Sequence, residues 1–153
     1  MQRKKLKKLK GLLEKEIKLT EKRLLGAKEA ANETAKTARV SWSAAGDREY
    51  AQGQVEVIEA YFNRLQSLFG EIEKALKRPP PDTVETPSLV EIDLNGKTNE
   101  FYFVRESVNI SGIKFLTPDS PLGKAILKMK AGDGFKFTLD KGNIIKGEIV
   151  EIE

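Results

Sequence analysis

The sequence predicts an α+β protein of two domains: an antiparallel coiled-coil hairpin of two long helices, then a small antiparallel β-sheet domain with one short helix. Three observations predict it. Stripes at steps of three and four run from residue 6 to 38 and again from residue 50 to 75. Three consecutive prolines, Pro79 to Pro81, then stop that pattern. After Pro87 the period falls to about two.

The first helical stripe is Leu6, Leu9, Leu13, Ile17, Thr20, Leu24, Ala27, Ala31, Thr34 and Ala38, the spacing of a narrow coiled-coil seam. A second runs Tyr50, Gln54, Val57, Tyr61, Leu65, Leu68, Ile72 and Ala75, which assigns Tyr50 to the core. Neither stretch contains proline, and each helix would extend for roughly 45–55 Å at 1.5 Å per residue. A short connection between them favours an antiparallel hairpin, a thin rod with its tip near residues 39–49. The seam side chains shrink to Ala and Thr toward that tip, which lets the helices approach closely there. The expected boundaries are 1–77 for the hairpin, 78–86 for a stiff proline-rich linker and 87–153 for the sheet domain.

In the second half "SLVEIDL", "EFYFV", "NISGIKFLT", "GFKFTL" and "NIIKGEIVEI" read as strands. "LNGK" is a hairpin signal, because Asn-Gly tolerates the positive φ of a type I′ turn, and "DKGN" is a weaker one. Between strands, Ser120 fits an N-cap, Pro121 the first helical position, and Gly132 a helix stop.

The 153 residues contain no cysteine and no histidine. Disulfides, thiolate metal sites and self-contained Ser-His or Cys-His catalysis are excluded, so chemistry here runs on carboxylates, lysines, hydroxyls or another protein's active site. No window reaches the ~18 apolar residues of a membrane span, and no secretory signal is visible, so a cytoplasmic protein is expected. Charge is uneven. Residues 1–78 hold 18 Lys and Arg against 11 acids, whereas residues 79–153 hold 9 against 12. The opening "MQRKKLKKLK" has six cations and no anions. It is either a solvated helix start or a segment that attracts RNA, DNA or an anionic surface.

These parts together resemble the bacterial Gre transcription elongation factors, GreA and GreB. The match is most specific at "DSPLGKAILKMKAGD" (119–133), where that family has Ser-Pro, a short helix ending in Leu and Lys, and then Gly-Asp before a strand. "NISGIKFLT" and the closing "GEIVEIE" also fit. The resemblance implies an FKBP-like C-terminal domain that docks beside the secondary channel of bacterial RNA polymerase. It also implies a hairpin whose acidic tip helps hold a second Mg²⁺ in the polymerase active site. The polymerase then cleaves the 3′ end of a backtracked RNA, so the protein is an accessory factor and not an enzyme. It binds no cofactor alone, shares Mg²⁺ with the polymerase, touches the RNA 3′ end only indirectly, has no membrane partner and is expected to act as a monomer.

Carried over residue by residue, Asp47 after Gly46 matches the family's "GD" and is the first candidate Mg²⁺ acid, with Glu49 the second. The family tip runs Asp-x-x-Glu-Asn-Ala-Glu-Tyr, whereas "GDREYAQGQ" is shorter and lacks the Glu-Asn-Ala step. Asp47 at a helix start would also cap backbone N–H groups, and Glu49 would complement the dipole. Glu56 and Glu59 read as a solvated face. Trp42 either covers the end of the seam or meets the polymerase as an aromatic anchor. Asp119, Ser120 and Pro121 correspond to the polymerase-contacting loop, and they also explain a capped helix start. Two rivals stand beside cleavage stimulation: a channel binder that inhibits or modulates polymerase without cleavage, and a coiled-coil adaptor with an FKBP-like domain unrelated to transcription.

Overall fold

The structure, a computed structural model, describes residues 3–38, 42–139 and 142–153; the side chains at 35–38 and 42–48 are not among those described. The elements are α1 (Lys4–Ala38), α2 (Trp42–Leu76), β1 (Ser88–Leu94), β2 (Lys97–Phe103), β3 (Phe115–Leu116), α3 (Pro121–Ile126), β4 (Gly134–Thr138) and β5 (Ile144–Ile152). They form the expected α+β arrangement of two long helices and a sheet with one short helix. Two compact units result: Met1–Gly11 with Leu68–Glu153, and Leu12–Ser67.

The helices run antiparallel. Lys10 reaches Glu73 at 3.6 Å and lies over the Phe69 ring, while Glu16 meets the Tyr61 hydroxyl at 3.4 Å. In α1 the described positions of the predicted stripe turn inward: Leu6, Leu9, Leu13, Thr20 and Leu24 are buried, and Ile17, Ala27, Ala31 and Thr34 half-buried. In α2 the reading holds from Leu65 to Ala75 and fails before it. Tyr50, Gln54 and Val57 are exposed, and the seam uses Val55, Ile58 and Phe62 instead. The cause is angular. Two consecutive steps of four, Leu65 to Tyr61 to Val57, advance the helix by about 80° beyond two full turns at roughly 100° per residue, whereas Ile58, seven residues from Leu65, is only about 20° off.

The sheet order is β3-β2-β1-β5-β4. The β1–β2 hairpin closes on Asn95 and Gly96, both at positive φ, and the Asp93 carboxylate accepts from Gly96 N–H at 2.8 Å. This is the chemistry that "NG" predicts. β4 and β5 pair antiparallel, and Gly142, within "DKGN", has φ +80°; Asp140 and Lys141 of that turn lie outside the described residues. One pair departs from a purely antiparallel sheet: the short β3 lies parallel to β2. Alternation sends Val90 and Ile92 of β1 with Phe103 of β2 into a core that also holds Ile126 of α3, Phe135 and Ile149. Val84, inside the stretch expected as linker, is fully buried in that core, and its backbone pairs with Met129 and Lys128.

α3 is shorter than the sequence suggests. It stops at Ile126, and Lys128 adopts φ +67° while its N–H is taken by the Val84 carbonyl. Gly132 (φ +91°) therefore belongs to a separate turn, where the Asp133 carboxylate accepts from Lys130 N–H at 2.9 Å before β4 begins.

The start of α1 is fastened within its own unit. Arg3 is buried, and its guanidinium donates to the carbonyls of Ala75 (2.9 Å), Pro87 (3.3 Å) and Glu153 (3.1 Å). The Glu153 side chain accepts from Lys5 N–H at 2.8 Å, Tyr102 donates to the Lys5 carbonyl at 3.0 Å, and Lys5 pairs with Glu100. Arg3→Met, which keeps length but removes the fork, should cost about 3 kcal/mol in urea unfolding, since buried carbonyls lose a charged donor. Lys5→Ala, which breaks an exposed pair, should cost under about 1 kcal/mol. The Lys5 ammonium is held above its ordinary pKa by its hydrogen bond to Glu100, and burial raises the Tyr102 phenol. For both, the folded form binds its proton more tightly than the unfolded chain. Stability should thus hold below about pH 10 and fall as pH rises through the folded values, as thermal melts across the alkaline range would read.

Candidate functional site

The residues singled out by sequence fall into two groups, one on α2 and one before α3. α2 begins at Trp42, five residues ahead of Asp47, so Asp47 is not at a helix cap and the first turn carries no acid. The helix runs through both Asp47 and Glu49, and backbone positions two apart are turned about 200° around the axis. The side chains of Trp42 and Asp47 lie outside the described residues; Glu49 is exposed. Glu56 and Glu59 are exposed too, as a solvated face requires.

The second group is built more tightly. Ser120 is the N-cap of α3, with φ −71° and ψ 156°. Its hydroxyl accepts from Gly123 N–H at 3.0 Å and donates to the Thr117 carbonyl at 2.7 Å. Pro121 supplies the first helical position, where a missing N–H is harmless. Gly123 is buried because nothing larger fits: a Cβ there would lie 1.9 Å from the Thr117 oxygen and 2.8 Å from the Ser120 hydroxyl. The helix start is thereby pressed against the strand-to-helix turn, while Asp119 and Pro121 remain exposed on either side of the cap. Leu122 and Ile126 anchor the other side of α3 in the core. The arrangement presents Asp119 and Pro121 to solvent on either side of the half-buried Ser120 cap.

Two features were missed by residue-level reading. Arg3, counted with the cationic run, is a buried backbone clamp, and no local signal distinguishes it from its lysine neighbours. The second is an acidic rung. Glu91 of β1 stands directly opposite both Glu100 of β2 and Glu151 of β5, and Asp93 stands opposite Glu148. Its signal is legible in "SLVEIDL" and "GEIVEIE", whose charged positions are all acidic. The paired Lys5 and Glu100, with Glu153 at the α1 start, show that part of the basic N-terminus answers this acidity. No helix among the described residues is long and apolar enough to cross a membrane.

No family model matches the chain, and no curated protein matches its sequence. Similar solved structures include GreA factor homolog 1 (Gfh1) of Thermus thermophilus, 18% identical over 94% of each chain with a TM-score of 0.39. Thermus aquaticus Gfh1 is 20% identical over 92% of this chain and 91% of its own, with a TM-score of 0.41. A prokaryotic transcription elongation factor GreA/GreB from Nitrosomonas europaea is 23% identical over 57% of this chain and 78% of its own, with a TM-score of 0.40. Likeness at this level does not carry function across.

The cap is open to test. Ser120→Ala should cost about 1 kcal/mol through the lost cap. Gly123→Ala should cost more, about 2 kcal/mol or above, because the Thr117 carbonyl must move. Chemical denaturation of both variants checks the ranking, and equal stability of Gly123→Ala and wild type would refute the close approach.

Proposed function

We propose that this protein is a transcription elongation factor of the Gre kind, accessory to bacterial RNA polymerase and not itself an enzyme. The observation that supports this most is the 119–133 segment. Its sequence follows the Gre pattern, and its fold leaves Asp119 and Pro121 exposed on either side of a half-buried Ser120 cap held against Gly123. In this reading the step contacts the polymerase beside the secondary channel, the sheet domain is FKBP-like, and the helical hairpin enters the channel. The acids Asp47 and Glu49 then stand near the catalytic Mg²⁺.

Mg²⁺ takes oxygen ligands and in such sites needs only one or two carboxylates beside those of the host and the substrate phosphates. When bound, the ion supplies the acidity that makes water a nucleophile. This chain's part is to offer a carboxylate and to exclude bulk water from the channel. Positions 47 and 49 stand about 200° apart around the α2 backbone, which supports a single lent acid over a pair. That same placement favours a second reading, a channel occupant that modulates polymerase without cleavage.

Stalled, backtracked elongation complexes decide between them. Stimulated cleavage by wild type, lost in Asp47→Ala/Glu49→Ala, supports the lent-acid role. Binding without stimulation supports the occupant. Failure to retain core polymerase at modest salt, with the Asp119→Ala/Pro121→Ala variant indistinguishable from wild type, would sink the polymerase reading altogether.

A further inference from the structure

Besides Gly46 in the second turn of α2, four glycines lie inside the long helices: Gly11 and Gly26 in α1, Gly53 and Gly70 in α2. Each weakens the folding equilibrium by roughly two- to fivefold relative to alanine, and nothing within the hairpin requires it. None of the four has a positive φ. A Cβ at any of them would meet nothing within 4 Å outside the local helix backbone. Nor do they let the two helices approach. Each stands two positions from a buried seam residue: Gly11 from Leu9 and Leu13, Gly26 from Leu24, Gly53 from Val55, Gly70 from Leu68 and Ile72. Each is therefore turned about 200° round its helix from the seam.

Their heights along the hairpin match in pairs. Lys10 lies over the Phe69 ring, and Gly11 and Gly70 are the next residues along the chain, so they stand within about one helical turn of each other. The Glu16–Tyr61 contact fixes the register further along. Gly26 lies ten residues after Glu16 and Gly53 eight before Tyr61, which puts this pair level to within about one turn as well. The compact units change over beside the first pair, between Gly11 and Leu12 on α1 and between Ser67 and Leu68 on α2.

A glycine pair at one height is what a transverse joint needs. A hairpin bends about an axis running from one helix to the other only if both helices yield together; one unbroken helix would splint the other. Glycine is where a helix yields most easily, because its backbone is the least confined. A partner pressed onto the hairpin does not account for the pairing. The backs of two packed helices face opposite ways, so one surface reaches only one glycine of each pair. We propose that the hairpin carries two joints, at Gly11–Gly70 and at Gly26–Gly53, about which its stretches tilt while the seam between them stays packed. The second joint is the softer, because the seam beside it narrows to Ala27 and Ala31, whereas Leu9, Leu13, Leu68 and Ile72 hold the first. The joints are independent of the polymerase reading.

Amide residual dipolar couplings and urea titrations on the full chain test this. In wild type a single alignment tensor should fail, and three should be needed: one for the sheet-bearing unit, one for residues 12–24 with 55–67, and one for residues 27–34 with 49–52. Gly11→Ala or Gly70→Ala alone should bring the first two stretches into one alignment. The double variant should add nothing further, since one unbroken helix already splints the joint. Gly26→Ala and Gly53→Ala should do the same for the last two. The folding equilibrium should behave differently, each alanine strengthening it by roughly two- to fivefold and the double variant by the product. One tensor that fits every stretch of wild type would overturn the proposal. So would stretches that stay separately aligned in Gly11→Ala/Gly70→Ala and Gly26→Ala/Gly53→Ala, or single alanines that each act in part and sum in the double variant.

Discussion

A single buried cation fixes the geometry of the sheet-bearing unit. The Arg3 guanidinium is out of water and answered by three backbone carbonyls: Ala75 in the last turn of α2, Pro87 just before β1, and Glu153 just after β5. Burial lowers its pKa from the ordinary value, but a guanidinium stays protonated in proteins, so its charge must be met by acceptors. Carbonyls near a helix C-terminus carry excess negative charge and lack helical partners. The Ala75 carbonyl accepts Arg78 N–H at 3.1 Å, and Arg3 donates to the same oxygen at 2.9 Å. A lysine at this place could not span three diverging oxygens with a planar fork. Chain segments 72, 84 and 150 residues away from Arg3 thus converge on it.

The same corner explains where the N-terminal cations are used. α1 starts against the sheet face opposite the core: Tyr102, whose ring is on that face, donates to Lys5, and the Glu153 carboxylate takes Lys5 N–H, capping the helix from a distant part of the chain. That face bears the row Glu100, Glu91, Glu151. Like charges directly opposite one another on neighbouring strands repel, and Lys5 relieves one end of the row through Glu100. Lys10 is engaged as well, by Glu73 and the Phe69 ring. A run that reads in isolation as a polyanion-binding tail is therefore partly consumed within its own unit.

Much of the fold is legible from local chemistry. The α1 seam follows from spacing alone, the β1–β2 turn from Asn95-Gly96, and the α3 start from Ser120 and Pro121, because each depends on residues within a turn of one another. The structure departs from the local reading where an angle accumulates along a helix or where a partner lies far along the chain. Tyr50 was assigned to the core because a four-four step looks like a three-four step in a list of apolar residues; only the angle against Leu65 separates them. Gly132 was read as a helix stop, but α3 ends earlier because Val84, distant in sequence, claims the Lys128 N–H. Arg3 and the acidic row depend on strand register, and Gly123 depends on the Thr117 oxygen. Of the candidate site, the Asp119-Ser120-Pro121 step was readable with its cap. The placement of Asp47 and Glu49 needed the helix start at Trp42, and "SWSAAGD" offers Ser41, Ser43 and Asp47 as cap residues without choosing among them.

A two-helix unit has one seam, and that limits what its other residues can be for. In Leu12–Ser67 the seam thins from Leu13 and Leu65 to Ala27, Ala31 and Thr34, and it also buries the Thr20 hydroxyl without a partner. Small seam residues bring helices close but remove little apolar area from water, so this unit gains less from its own packing as α1 proceeds. The apolar residues beside the seam contribute nothing to the isolated hairpin while exposed, and Leu19, Val57 and Tyr50 become stabilising only when another surface covers them. Whatever covers that face contributes to the stability of the hairpin by mass action.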